Sequence, residues 1–235
     1  METARKPTHT IRLPIFLCLL FLFLIFYPYL HQKFPGQIAI LESFFALIMI
    51  SGISLLINRK SLLIFMTILA FAILIGILIA GRYETITPLL IVLSIQFVFF
   101  SVIFINLLGY IFEHQEVTLN SLYSAITSYL ILGILFAIFY TFAAIISPEI
   151  FQYTASSKSI LKIYPHPAFF SDALYFSFVT LGTLGYGDLV PVFGPIKMIA
   201  SLEAIIGQLY IAILIARLVS VRRSDTPNQQ DENDK

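Results

Sequence analysis

An all-α integral membrane fold with six transmembrane helices is what this sequence predicts, and three observations predict it. The chain is 59% hydrophobic and only 11% charged, whereas a soluble domain carries roughly 25% charged residues. It cannot cover itself with a polar surface. Six apolar runs occupy residues 11–30, 36–57, 62–80, 88–112, 119–146 and 195–221, and each reaches about the 20 residues that a helix needs to cross ~30 Å of hydrocarbon. Between the fifth and sixth runs, residues 171–182 are apolar but only a dozen in number. That is too short to span and suits a re-entrant helix.

The first run follows a basic stretch but is too long for a signal peptide, and no small-residue cleavage site follows it. It reads as an uncleaved first span. In the second run Glu42 is the clearest acidic group, and in the fourth Gln96 and Asn106 are the only strongly polar residues, with no Lys or Arg. The loop after the fourth run holds Glu113, His114 and Glu116, which form either a titratable cluster or a merely solvated loop.

With the N-terminus inside, nine Lys and Arg lie on the cytoplasmic side (Arg5, Lys6, Arg12, Arg59, Lys60, Arg217, Arg222, Arg223 and Lys235) against five outside (Lys33, Arg82, Lys158, Lys162 and Lys197). Positive charge is retained inside, so both termini are expected in the cytoplasm of a multi-pass cell-membrane protein. Residues 224–235 are polar and expected to be a short disordered tail. Cys18 is the single cysteine, so a disulfide framework is excluded, and a net charge of +1 gives no hint of a nucleic-acid partner. No nucleophile–base pair, metal-ligand cluster or phosphate loop is visible, so an enzyme is not expected.

The informative stretch is residues 180–188, TLGTLGYGD. Ser171 or Asp172 is a plausible N-cap for the short helix ahead of it. Gly185 and Gly187 adopt φ > 0 without steric cost. Non-helical backbone at membrane depth is tolerated only where it lines a cavity or is buried in protein. The following LVPVFGP prevents direct helical continuation. A half-helix in, an extended strand back and a full span after it make a pore loop.

TLGYGD at 183–188 resembles the selectivity-filter signature of potassium channels, and residues 170–221 resemble their pore module. The resemblance implies passive conduction of K+, with no organic cofactor. It implies that the carbonyls of Thr183, Leu184, Gly185 and Tyr186, with the Thr183 hydroxyl, hold the ion in place of water. The Tyr186 ring would turn away from the pore and brace the strand, with Gly187 and Asp188 as support. The re-entrant helix would aim its negative end at a water-filled cavity. One strand per chain cannot close a pore, so a homotetramer in the lipid bilayer is implied.

The layout resembles that of small bacterial six-span members of the family. Residues 1–112 would form a voltage-sensor-like four-helix bundle and 113–223 the pore domain. A charge crossing the field gains only ~2.3 kcal/mol per 100 mV, so a sensor needs several arginines. The fourth run has none, and weak voltage dependence is expected.

Departures from the family pattern carry further expectations. Gly182 stands where many potassium channels have a second threonine, which suggests a looser inner entrance. Val179 stands where some carry a glutamate behind the filter. The chain has no Trp and offers Tyr175 and Phe176 on the short helix. The Tyr175 hydroxyl is expected to take over the hydrogen bond to Asp188.

In the last run Gly207 lies 22 residues after Gly185, the spacing of the family's hinge glycine, although it also serves if it only allows close packing. With Gln208 facing the cavity, Ile211, Ala212, Ile215 and Val219 share its face and make a greasy inner mouth. Glu203 is rotated away from that face, toward the short helix, where Ser177 or Thr180 can bond it. It is either a satisfied structural carboxylate or a proton-sensitive brace on the filter. Rival readings are a weakly selective cation channel, a secondary transporter with a broken-helix cation site, and a non-conducting subunit. An inverted repeat would favour the transporter, and none is visible.

Overall fold

The computed structural model describes residues 12–33, 38–56, 59–82, 86–113, 118–147, 149–154 and 168–224. Its helices are α1 (Arg12–Lys33), α2 (Ile38–Ser54), α3 (Lys60–Arg82), α4 (Ile86–Glu113), α5 (Leu119–Ile146), α6 (Ala168–Leu181) and α7 (Gly194–Ser224). Two short strands, β1 (Phe151–Tyr153) and β2 (Leu189–Pro191), flank α6 in the chain.

Among the described residues five helices, α1, α3, α4, α5 and α7, are long and apolar enough to cross a membrane. α2 is the shortest of the six expected spans, and residues 34–37 before it and 57–58 after it lie outside the described residues. Its 17 described residues reach about 26 Å at ~1.5 Å per residue, at the lower end of the ~17–25 residues of a span. Backbone bonds set its C-terminal end. Leu55 and Leu56 donate to the carbonyls of Gly52 and Ile53 at 3.2 and 2.9 Å, which tightens the chain into a turn. Arg12 Nη1 then caps the Ser54 carbonyl at 3.1 Å.

Local chemistry sets the other boundaries. Thr118 caps α5, its side chain accepting from the Ser121 amide while Ser121 reaches back to the Thr118 amide. Pro195 occupies the first turn of α7, where a missing N–H costs nothing. The Ser171 or Asp172 cap expected for α6 is not found, because the helix already begins at Ala168 and both residues lie inside it. The side chains of Glu42 and Glu113, residues 114–117 with His114 and Glu116, and residues 225–235 of the tail lie outside the described residues.

Beside the helices the described residues hold one short two-stranded ribbon. β1 and β2 pair antiparallel, with Phe151 opposite Pro191, Gln152 opposite Val190 and Tyr153 opposite Leu189. The ribbon ties the chain before α6 to the chain after the glycine-rich segment.

α5 is the central post. It contacts α1, α4, α6 and α7, and Ala125, Ile131, Ile134, Ala137 and Tyr140 along it are fully buried. Aromatic rings join the first helices to α6. Tyr27 meets Phe170 edge-on at 5.4 Å, and Phe45 lies 6.1 Å from Phe170 and 6.4 Å from Phe100. Such edge and tilted contacts each add about 0.5–1.5 kcal/mol beyond the area they bury. Outward faces of α3 and α7 carry exposed Ile64, Ile68, Phe71, Ile205 and Ile213, as expected for helices that meet lipid or another subunit.

Candidate functional site

The site begins where α6 stops. The Leu184 amide donates to the Val179 carbonyl at 2.8 Å, and the Thr183 amide to the Thr180 carbonyl at 2.9 Å. This crossed pair is a Schellman motif, which requires a left-handed residue just past the cap. That residue is usually glycine; here it is Thr183, with φ 56°. A β-branched residue there is an outlier that costs about 1–3 kcal/mol and is held only by its surroundings. Gly182 precedes it, and a Cβ at Gly182 would meet the Phe178 carbonyl at 2.9 Å. Glycine here thus has a local reason in the cap geometry.

From Thr183 onward the backbone alternates. Thr183, Gly185 and Gly187 have φ of 56°, 55° and 73°, while Leu184 and Tyr186 between them do not enter that region. The two glycines behave as their sequence requires; the third left-handed position was not visible beforehand. All residues from 182 to 188 are exposed in the single chain, Leu184 at 59% and Tyr186 at 66%.

Asp188 closes the segment and is held from several sides. The Tyr175 hydroxyl donates to its Oδ2 at 2.7 Å, and the Leu189 amide to its Oδ1 at 3.0 Å. The Tyr175 bond holds the Asp188 carboxyl below the ordinary carboxylate range, against an opposing push from desolvation and with help from backbone donors. The same bond, with desolvation behind it, raises the Tyr175 hydroxyl.

Sequence reasoning missed the strap on the other side. Thr154, next after β1, donates its amide to the Asp188 carbonyl at 2.9 Å and its hydroxyl to the Gly187 carbonyl at 2.5 Å. Val192 beyond β2 donates to the Ile150 carbonyl at 2.8 Å. Tyr153, raised by burial and by its bond to Asp172, fastens the same strap to α6.

Beneath the segment, the Leu181 carbonyl is held between α5 and α7. The Tyr129 hydroxyl donates to it at 3.1 Å. A Cβ on Gly207 would run into that carbonyl, so glycine lets α7 approach. Gly207 is buried inside an unbroken helix, which gives it a packing reason. Tyr210, one turn on, donates to the Ala125 carbonyl at 2.7 Å and lies 2.6 Å from the Ser128 hydroxyl.

Glu203 faces inward, fully buried. Its Oε1 is 2.5 Å from Ser177 Oγ, one of the two partners that its helical position suggested. Its Oε2 accepts from the Tyr140 hydroxyl at 2.6 Å. Tyr140 was not foreseen, because an aromatic residue in an apolar run looks like any other core or lipid-facing ring. Gln208, Ile211, Ala212 and Ile215 are exposed along α7, and the side chain of Val219 lies outside the described residues.

A family comparison falls on this region. Residues 149–223 match a family model described as ion channel. Protein LctB of Bacillus caldotenax is 30% identical over 105 residues, which cover 45% of this chain and 75% of that protein. No solved structure matches significantly.

Proposed function

Because the chain belongs to the ion-channel superfamily, we propose that it is a potassium-selective channel whose pore is built by four copies, each contributing one 183–186 strand. The observation that carries this reading is the alternation of left-handed backbone at Thr183, Gly185 and Gly187. In an ordinary extended strand successive carbonyls point to opposite edges. Alternating the hand of the backbone turns them to one edge. Four such edges around an axis stack rings of oxygens that replace the hydration shell of K+.

In this reading α6 is the re-entrant pore helix and α7 lines the conduction path, with Gln208, Ile211, Ala212, Ile215 and Val219 toward the axis. The exposure of residues 182–188 in one chain supports cover by neighbouring copies, as cyclic symmetry requires. Thr183, Leu184, Gly185 and Tyr186 coordinate the ion, and Gly187, Asp188 and Tyr175 support the strand. Both termini lie on the cytoplasmic side, the outer mouth being the face that carries Asp188 and the β1–β2 ribbon.

Single-channel recording of the purified protein in planar bilayers under opposed potassium and sodium gradients tests this. Discrete currents reversing near the potassium equilibrium potential are expected, and Gly185→Asp should abolish them, since the side chain is strained at a φ of 55°. A current carried equally by sodium would replace the reading with that of a weakly selective cation channel. Silence of well-folded protein would count against conduction altogether.

A further inference from the structure

Three helices meet at Glu203, and a count of hydrogens decides what state it is in. Ser177 Oγ of α6 lies 2.5 Å from Glu203 Oε1 of α7 and 2.8 Å from the Gly133 carbonyl of α5. Tyr140 Oη of α5 lies 2.6 Å from Glu203 Oε2. These are three close oxygen–oxygen contacts. The tyrosine and the serine bring one hydroxyl hydrogen each. If Glu203 is ionised, two hydrogens must serve three contacts, and one oxygen pair is left in repulsion. With a proton on Glu203 the count closes. Tyr140 donates to Oε2, the carboxyl O–H donates to Ser177 Oγ, and Ser177 donates to the Gly133 carbonyl.

We propose that Glu203 is a neutral carboxylic acid and a positioning residue, whose proton completes a three-bond chain locking α6 to α5 and α7. The surroundings fit a neutral group. Glu203, Ser177 and Tyr140 are each fully buried, and an unpaired ionised carboxylate is very costly there. From α5 the titratable groups that face it are Tyr140 and, further off, Tyr129; α6 offers only the Ser177 hydroxyl. No Lys or Arg pairs with it among the described residues.

The packing around the chain is close. Phe151 and Phe176 meet the Tyr140 ring edge-on at 5.6 and 5.2 Å. A Cβ on Gly133 would meet the Phe178 ring at 2.7 Å, so glycine there is what brings α6 within reach of the carbonyl. Removing the proton leaves Ser177 able to satisfy Glu203 or Gly133 but not both. The lock on α6, which carries residues 182–188, then loosens. Its effect on conduction rests on the channel reading above; the lock itself does not.

The test is infrared spectroscopy of the purified protein in lipid at neutral pH, with thermal unfolding from neutral to alkaline pH. Wild type should show a carbonyl band of a buried protonated carboxyl that is absent from E203Q. A glutamine amide donates to Ser177 and accepts from Tyr140, so E203Q should unfold near the wild-type midpoint and lose the extra alkaline drop that wild type shows. E203A should unfold well below both. Absence of the band in wild type, or an E203Q as destabilised as E203A, would overturn the proposal. The wild-type band alone suffices if E203A does not fold. A band with the E203Q pattern in a preparation that carries no current would leave the lock standing and remove only the channel reading.

Discussion

At the scale of single residues, the site depends on groups that hold Asp188 and the strand in place. Asp188 has a depressed carboxyl, so the sign of its pH dependence is set. The contribution of the Tyr175 contact is complete above the unfolded value near 3.8 and is lost as pH falls through the lower folded value. Conduction should therefore survive external acidification to below the ordinary carboxylate range. Tyr175→Phe removes the donor and should move the acid midpoint up toward that range, which an external pH titration of the current would read directly. A Tyr175→Phe channel with unchanged acid midpoint and unchanged conductance would show that the bond does not brace the strand. Thr154 works from the opposite side, holding two successive carbonyls with its hydroxyl and its amide. The strained Thr183 sits between these anchors and the cap of α6.

Among elements, α6 is the piece whose position matters most, because residues 182–188 continue directly from its end. α5 and α7 grip it through glycine. Gly207 lets α7 close onto the Leu181 carbonyl, and Gly133 lets α5 close onto Phe178. Gly207→Ala forces a methyl group against backbone that has no freedom to retreat. Overpacking of this kind costs typically about 1–3 kcal/mol. The variant should show a lowered unfolding midpoint in detergent, together with reduced current from a displaced α6. A full-stability Gly207→Ala channel with altered opening alone would restore the hinge role.

For the whole molecule, the decisive feature is what α4 lacks. Its 28 residues from Ile86 to Glu113 contain no Lys or Arg, so it carries no positive charge that the membrane field could move. At ~2.3 kcal/mol per charge per 100 mV, a helix with no Lys or Arg cannot drive steep opening as an arginine-bearing sensor does. Open probability should change only shallowly between strongly negative and strongly positive potentials, as macroscopic tail currents would measure. Steep activation carrying several gating charges would require a sensor elsewhere. The first four helices are nevertheless attached to α6 and α7. Tyr27 and Phe45 reach Phe170 of α6, and the Arg217 guanidinium of α7 lies 5.2 Å from the centre of the Phe112 ring of α4.

Hydropathy and glycine chemistry are local properties, and what depends on them was legible in the chain alone. The membrane class, the course of α1, α3, α4, α5 and α7 to within a few residues, and the left-handed glycines at 185 and 187 all follow from runs of neighbouring side chains or from single φ preferences. The turn that ends α2 did not follow, since Leu55 and Leu56 are as apolar as the helix they end. Nor did the partners of the polar groups. Glu203 and Tyr140 lie 63 residues apart, and Thr154 lies 33 residues before the carbonyl its hydroxyl holds. Helical position placed Glu203 toward Ser177, and the resemblance to the potassium-channel pattern pointed to the bond between Tyr175 and Asp188. Whether Gly207 serves close packing, which chain segment straps Gly187 and Asp188, and how many hydrogens the buried carboxyl must share were decided only when α5, α6 and α7 came together, since each is a distance between elements that no single stretch of sequence contains.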